Sequence, residues 1–251
     1  MQATNIDEVV AVLDEIIRDY RNRSSRLAYF PALYRAVTVR VRDGIAANQF
    51  DDGERMNQLD TAFANRYFAA LEADRSGDAA PRAWQVAFEA AQRPGVMILQ
   101  HLLLGMNAHI NYDLPIATAD ITGAAPLTAV QKDFMTINSI LSALLDPVQA
   151  ALGEFSPMLD VLDRVGGRTD EAIASFSILH ARDEAWHEAT RLAREAPAHR
   201  DRSVLSLDRR VALRAEHLIV PGGVLGHAIG LIAHTESDDV AAVTNRLLEI
   251  H

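Results

Sequence analysis

The hydrophobic positions of this chain recur every three or four residues almost from end to end. Ile6, Val9, Val10, Leu13, Ile16, Ile17 and Tyr20 form one stripe, which marks a helix packing a single face. In the next segment, YFPALYRAVTVRVRDGIAANQ, Val37, Val39 and Val41 alternate with polar residues as a strand would. Leu33, Val37, Val41 and Ile45 also make an i, i+4 ladder, Pro31 suits a helix start, and no partner strand is evident, so the pattern predicts a helix. FDDG reads as a turn. Glu54 to Asp74 follows as a helix with Met56, Leu59, Phe63 and Leu71 inward, and RSGDAAP as a loop. Pro81 opens a short helix with Trp84 and Phe88, which RPG at 93–95 closes.

Val96 to Tyr112 is the most apolar stretch and predicts a central, buried helix. Pro115 is expected to stop or kink it. Further helices are expected at 126–145, 147–164, 169–196, 205–219, 223–235 and 237–250, punctuated by prolines and glycine pairs, with Thr169 and Ser237 as N-caps. The fold class is all-α: one domain over 1–251, a bundle of about eight to ten helices around the buried helix at 96–112.

Composition sharpens this picture. A chain of 251 residues, 49% hydrophobic, buries one large core without crosslinks. The absence of cysteine removes disulfides, thiolate zinc sites and a cysteine nucleophile, and agrees with a cytoplasmic location. The acidic amino terminus argues against an export signal, and no apolar run approaches the ~20 residues that span a bilayer. A net charge of −10 without a Lys/Arg cluster argues against a nucleic-acid partner. A small-molecule substrate is expected, and homo-oligomerisation stays possible.

The chemistry concentrates in HLLLGMNAHINYDLP, where two histidines, two asparagines and one aspartate fall within 13 otherwise apolar residues, 101–113. Burying that many polar groups is costly unless each finds a partner. His109 and Asp113 stand one turn apart on one face, a two-ligand edge for a divalent metal. His101 lies on a neighbouring face about 12 Å below, and Asn107 with Asn111 forms a second i, i+4 pair suited to hydrogen-bonding a substrate or tying down a neighbouring segment. A second constellation, His180, Asp183 and His187, shares one stripe of another helix beside Trp186. That helix also reads as an ordinary charged, solvated one. Asp60 falls near the apolar face of its helix, followed by Asn65 and Arg66. It is a candidate base or orienting carboxylate, or one half of a buried ion pair with Arg66.

The segments LDTAFANRYFAAL, LLLGMNAHINYDLPIA and ARDEAWHEATRLA together resemble an uncharacterised, mainly bacterial family known only as a domain of unknown function. The resemblance implies Asp60, Asn65, Arg66, His101, Asn107, His109, Asn111, Asp113, Asp183 and Trp186 as signature positions, with His180 and His187 less typical. More locally, HINYDLP is similar to the His-x-x-x-Asp-x-x-Pro segment of the zinc-dependent phospholipase C and P1-type nuclease group, whose amino-terminal tryptophan ligand is missing here.

These features lead to a first expectation of a metal-dependent hydrolase acting on an ester or phosphoester. Zinc, iron or manganese would be held by His101, His109, Asp113 and Asp183, with Asp60 as base and Arg66, Asn107 and Asn111 orienting the substrate. A metal-free helical pocket that binds or cyclises an apolar secondary metabolite, with His109 and Asp113 as an acid/base couple, is the alternative. A non-catalytic binding protein is the third. Ferritin-like di-iron chemistry is disfavoured because its paired Glu-x-x-His pattern is absent.

Overall fold

The computed structural model describes residues 1–122, 128–156, 158, 178–220 and 223–250. Among the described residues every regular element is helical. In chain order these are α1 Ile6–Asn22, a 3₁₀ turn Arg26–Ala28, α2 Tyr29–Ala46, α3 Gly53–Ser76, α4 Arg82–Ala90 and α5 Ile98–Ala108. A π-helical turn at His109–Asp113 leads into α6 Leu114–Thr122, and then come α7 Thr128–Phe155, α8 Ile178–Arg194, α9 Pro197–Ile219, α10 Gly223–Ala233 and α11 Val240–Leu248.

The stripes became buried faces. All seven residues of the α1 stripe are buried, each contributing about 1.5–3 kcal/mol of transfer free energy. In α2 the i, i+4 ladder prevailed over the alternating valines: Leu33, Val37 and Val41 line one internal cavity. The N-terminus of α1 is capped by Asn5, whose side chain accepts from Glu8 N, and that of α3 by Asp52 in the same way. Gly77 ends α3 at φ 76°, a left-handed conformation that glycine adopts at little cost.

Several expected boundaries moved. Pro147 does not divide two helices but lies inside α7, at the cost of one intrahelical hydrogen bond. Helix α9 begins at Pro197, eight residues before the expected 205, because proline at the first helical position gives up an N–H that has no intrahelical partner anyway. Asp239, not Ser237, caps α11, accepting from Ala242 N. Thr169 lies outside the described residues.

Helix α5 packs against α2, α4 and α9, while α6 packs on α3 and α8. Buried carboxylates and amides fasten this centre. Asp208 of α9 accepts from Arg82 N and Ala83 N, capping α4 at 3.0 and 2.9 Å. Gln100 of α5 donates to the carbonyls of Leu218 and Ile219 at the end of α9. Glu236 accepts from Ile98 N at 2.8 Å and from the Ser156 hydroxyl, tying the start of α5 to the end of α7. Because Ile110 and Leu114 pack with Phe134 near the other end of α7, α5 and α7 run antiparallel. Three packed hydrophobic clusters meet at Phe63, which touches all of them.

Candidate functional site

The polar segment of the central helix begins where its pitch changes. At His109–Asp113 the turn is π-helical, and the N–H of Leu114 donates to the carbonyl of His109, five residues back. Such turns are rare and gather at functional sites. The wide turn also accounts for Pro115, whose ring would collide with the carbonyl of Asn111 in a regular α-turn. The chain therefore continues into α6 instead of stopping.

Within this turn His109 Nδ1 lies 3.2 Å from Asp113 Oδ2, with both side chains buried. Trp84 Nε1 donates to the same oxygen at 2.9 Å, and Arg66 Nε forms an ion pair with Oδ1 at 3.3 Å. A carboxylate held by a cation and an indole N–H acts as an acceptor, so Nδ1 carries the imidazole proton and Nε2 keeps its lone pair. Burial holds the His109 pKa below the ordinary histidine value, with Asp113 opposing it, so the ring is neutral near pH 7. Aromatic rings fix its orientation: Phe63 stacks at 3.5 Å between centroids, Tyr34 meets it edge-on at 4.4 Å, and Phe30 closes the box at 5.6 Å. Phe30 can take that position because residue 105 is glycine; a Cβ there would come within 2.4 Å of the Phe30 ring. Gly105→Ala is expected to lower stability by about 1–3 kcal/mol in thermal melting. An unchanged melting curve would mean that the Phe30 ring has room to move aside.

His109, Tyr34 and Asp60 all stand on the wall of one cavity of about 530 Å³, enclosed by α2, α3, α5, the π turn, α6, α7 and α8. That is the size of a small-molecule pocket. Leu145 and Leu179, both exposed, belong to its lining, which places its outer side between α7 and α8. Among the described residues, three buried polar atoms on this wall have no hydrogen-bond partner: Tyr34 Oη, Asp60 Oδ2 and His109 Nε2. Burial alone pushes the Asp60 carboxyl up to about 7, and keeps the Tyr34 phenol protonated far above its usual range, with the Asp60 charge adding to the effect. The wall thus offers a neutral imidazole acceptor, a phenol donor and a carboxyl poised between acid and base at neutral pH.

The other expected site residues lie elsewhere. His101 lines a separate pocket of about 20 Å³ with Arg26, Phe30 and Gly105, so Phe30 forms the partition between the two histidines. Burial, with the Arg26 charge, lowers its pKa to about 3. Asn107 donates to the Val211 carbonyl of α9 at 3.0 Å and accepts from Asn111 at 3.0 Å, so the pair fastens α5 to α9 rather than orienting a substrate in the cavity. Arg66 serves Asp113 and lies over the Tyr112 ring at 5.4 Å. Asn65 holds the backbone N–H and carbonyl of Ala3, both at 2.8 Å. Asp183, with His180 and His187, faces outward on α8, while its neighbour Arg182 is the residue turned inward onto the cavity wall. The set His101, His109, Asp113 and Asp183 is therefore not brought together. Among the described residues no group of three His, Asp or Glu side chains is arranged to hold an ion. Tyr34, Phe63, Trp84 and Arg182 were not foreseen as site residues. The one sequence signal for Arg182 was its place one residue out of register with Asp183, on the Ala181, Ala185, Ala189 face.

The fold and the site define a class: an all-helical protein with a ligand-sized apolar cavity bordered by a buried carboxylate–histidine couple. The model of a family of unknown function, DUF5995, matches residues 6–221, and the chain belongs to that family. Searches of curated proteins and of solved structures return no match. Among the described residues no helix is long and apolar enough to cross a membrane.

Proposed function

We propose that the protein binds an apolar small molecule in the cavity and moves a proton on it by general acid/base catalysis. The observation that carries this reading is the convergence of three unpartnered buried polar atoms, on Tyr34, Asp60 and His109, on one apolar cavity wall. Leaving a buried donor or acceptor unsatisfied costs about 1–3 kcal/mol, and ligand polar atoms would supply the missing partners. In the step proposed, His109 Nε2 takes a proton from a carbon next to a carbonyl. The Asp113 carboxylate stabilises the imidazolium that forms, and the Tyr34 hydroxyl and protonated Asp60 donate to the developing enolate oxygen. With a β,γ-unsaturated ketone, return of that proton from His109 to the γ-carbon of the dienolate shifts the double bond into conjugation and completes an isomerisation.

A hydrolytic, metal-assisted version would place a zinc, iron or manganese ion against His109 Nε2 and Asp60, the acidic and imidazole groups of the cavity wall. The likeness of HINYDLP to the phospholipase C and P1-type nuclease group and the mainly bacterial range belong to this reading, as does a cytoplasmic location.

An enolisable apolar ketone such as 2-dodecanone, incubated with the protein in D₂O and followed by mass spectrometry, tests the proposal. Exchange at the α-carbon is expected to be accelerated by the wild type. His109→Phe, which keeps the stack on Phe63, should reduce it by about 10²–10⁴-fold. Saturable ketone binding without accelerated exchange would leave a binding protein only. Loss of exchange after dialysis against a chelator would favour the metal-assisted version.

A further inference from the structure

The cavity carries a cation that the proton-transfer chemistry does not use. Arg182 of α8 is 4% exposed and lies on the cavity wall. Its Nε donates to Asn138 Oδ1 at 2.6 Å, its Nη2 to the Phe134 carbonyl at 2.5 Å, and its guanidinium sits 4.2 Å from the Phe134 ring centroid. All three partners are neutral. No carboxylate forms an ion pair with Arg182 among the described residues, and Asp183, next in the chain, faces outward. Burial draws the Arg182 pKa down to about 9, with the Asp183 charge opposing it, so the group is still charged at neutral pH. A buried cation without an ion-pair partner is costly to a fold. The Nε–Nη2 edge is occupied by Asn138 and Phe134, and among the described residues Nη1 has no hydrogen-bond partner.

The rest of the cavity says what that ligand looks like. Arg182 packs beside Phe134, in the cluster that contains Ile110 and that Phe63 borders, and no charge interaction links it to Asp60 or His109. From there the wall runs back along α5 through Met106, Leu103 and Leu99, and along α7 through Leu144, Val148 and Leu152. From His109 to Leu99 this is roughly 15 Å at about 1.5 Å per residue. Ser142 and Gln149 are the polar residues on the α7 stretch.

Resting on the reading above, we infer that the cavity takes an amphipathic carboxylic acid. Its carboxylate pairs with the free edge of Arg182, and its alkyl body lies along α5 and α7 toward Leu99 and Leu152. A carboxylate matches the planar end of a guanidinium and cancels its single charge. A phosphate dianion would leave one negative charge uncancelled in an apolar cavity.

Isothermal titration with dodecanoate, dodecyl phosphate and dodecan-1-ol, all below micellar concentration, tests this. Dodecanoate is expected to bind the wild type at least about tenfold more tightly than the alcohol, and more tightly than dodecyl phosphate. Arg182→Met should bring acid and alcohol to equal affinity with the alcohol's own affinity kept. Arg182→Lys, which restores a cation, should recover part of the preference and serves as the folded control. Equal affinity of acid and alcohol in the wild type overturns the inference while leaving the apolar cavity reading in place. A preference that persists in Arg182→Met also overturns it. Failure of all three ligands to bind removes both readings.

Discussion

Asp113→Ala is expected to cost the protein about 3 kcal/mol or more in urea denaturation, the largest loss of any single side chain in the site. Asp113 is 1% exposed, and its two oxygens meet an indole N–H, an imidazole N–H and a guanidinium. Truncation would strand the buried Trp84 Nε1 and His109 Nδ1 without their acceptor, and breaking a buried charge pair from one side costs about 3–5 kcal/mol. Arg66 moderates this, because it is partly exposed and recovers hydration. Asp113→Asn keeps an acceptor for Trp84 but turns an amide donor toward other donors, so it should fall between wild type and alanine. A loss below about 1 kcal/mol, the level of an exposed pair, would show that Asp113 does not anchor this network.

The second large effect has the opposite sign: Asp60→Asn should stabilise the protein at pH 8. The Asp60 carboxyl has an ordinary value of 3.8 and is pushed up to about 7 by burial. Between about pH 4 and 7 the folded protein keeps a proton that the unfolded chain has released. The Asp60 contribution to stability is therefore greatest below pH 4, falls as pH rises through that window, and is flat above 7. At about 1.36 kcal/mol per pH unit, the window amounts to about 4 kcal/mol. Asparagine has the same shape and never ionises. The variant should match the wild type near pH 4 and exceed it by up to about 4 kcal/mol at pH 8, while its amide keeps a donor toward the enolate oxygen. Urea midpoints at pH 4, 6 and 8 measure the difference, in which the other carboxylates cancel; parallel profiles would refute it. A carboxylate that destabilises its own fold is the pattern expected of a residue kept for function.

Asp60, His109 and Asp113 were legible as a group because charged and polar side chains within apolar stripes violate the burial pattern, wherever their partners come from. The roles of Asn107, Asn111 and His101 were not, because helical spacing gives the direction of a side chain around its own axis and nothing about what stands opposite. Asn107 faces a carbonyl of α9, and His101 is walled off by Phe30, which reaches the partition only because residue 105 lacks a Cβ. On α8 the sequence drew attention to the acidic and imidazole residues, whereas the inward position belongs to Arg182, one residue earlier.

Local sequence by itself determined that the chain is helical, that the segment around 96–112 lies at the centre, and that its polar residues demand partners, since periodicity and burial cost act within a single helix. Only the tertiary structure decided which of those residues pair with backbone and which border a cavity. Pro115 stayed inside a continuing helix through a π turn, and the space at the junction of three packed clusters exists only once α2, α3, α5, α7 and α8 are assembled. A cavity is a property of how faces fail to meet, and no single stripe encodes it.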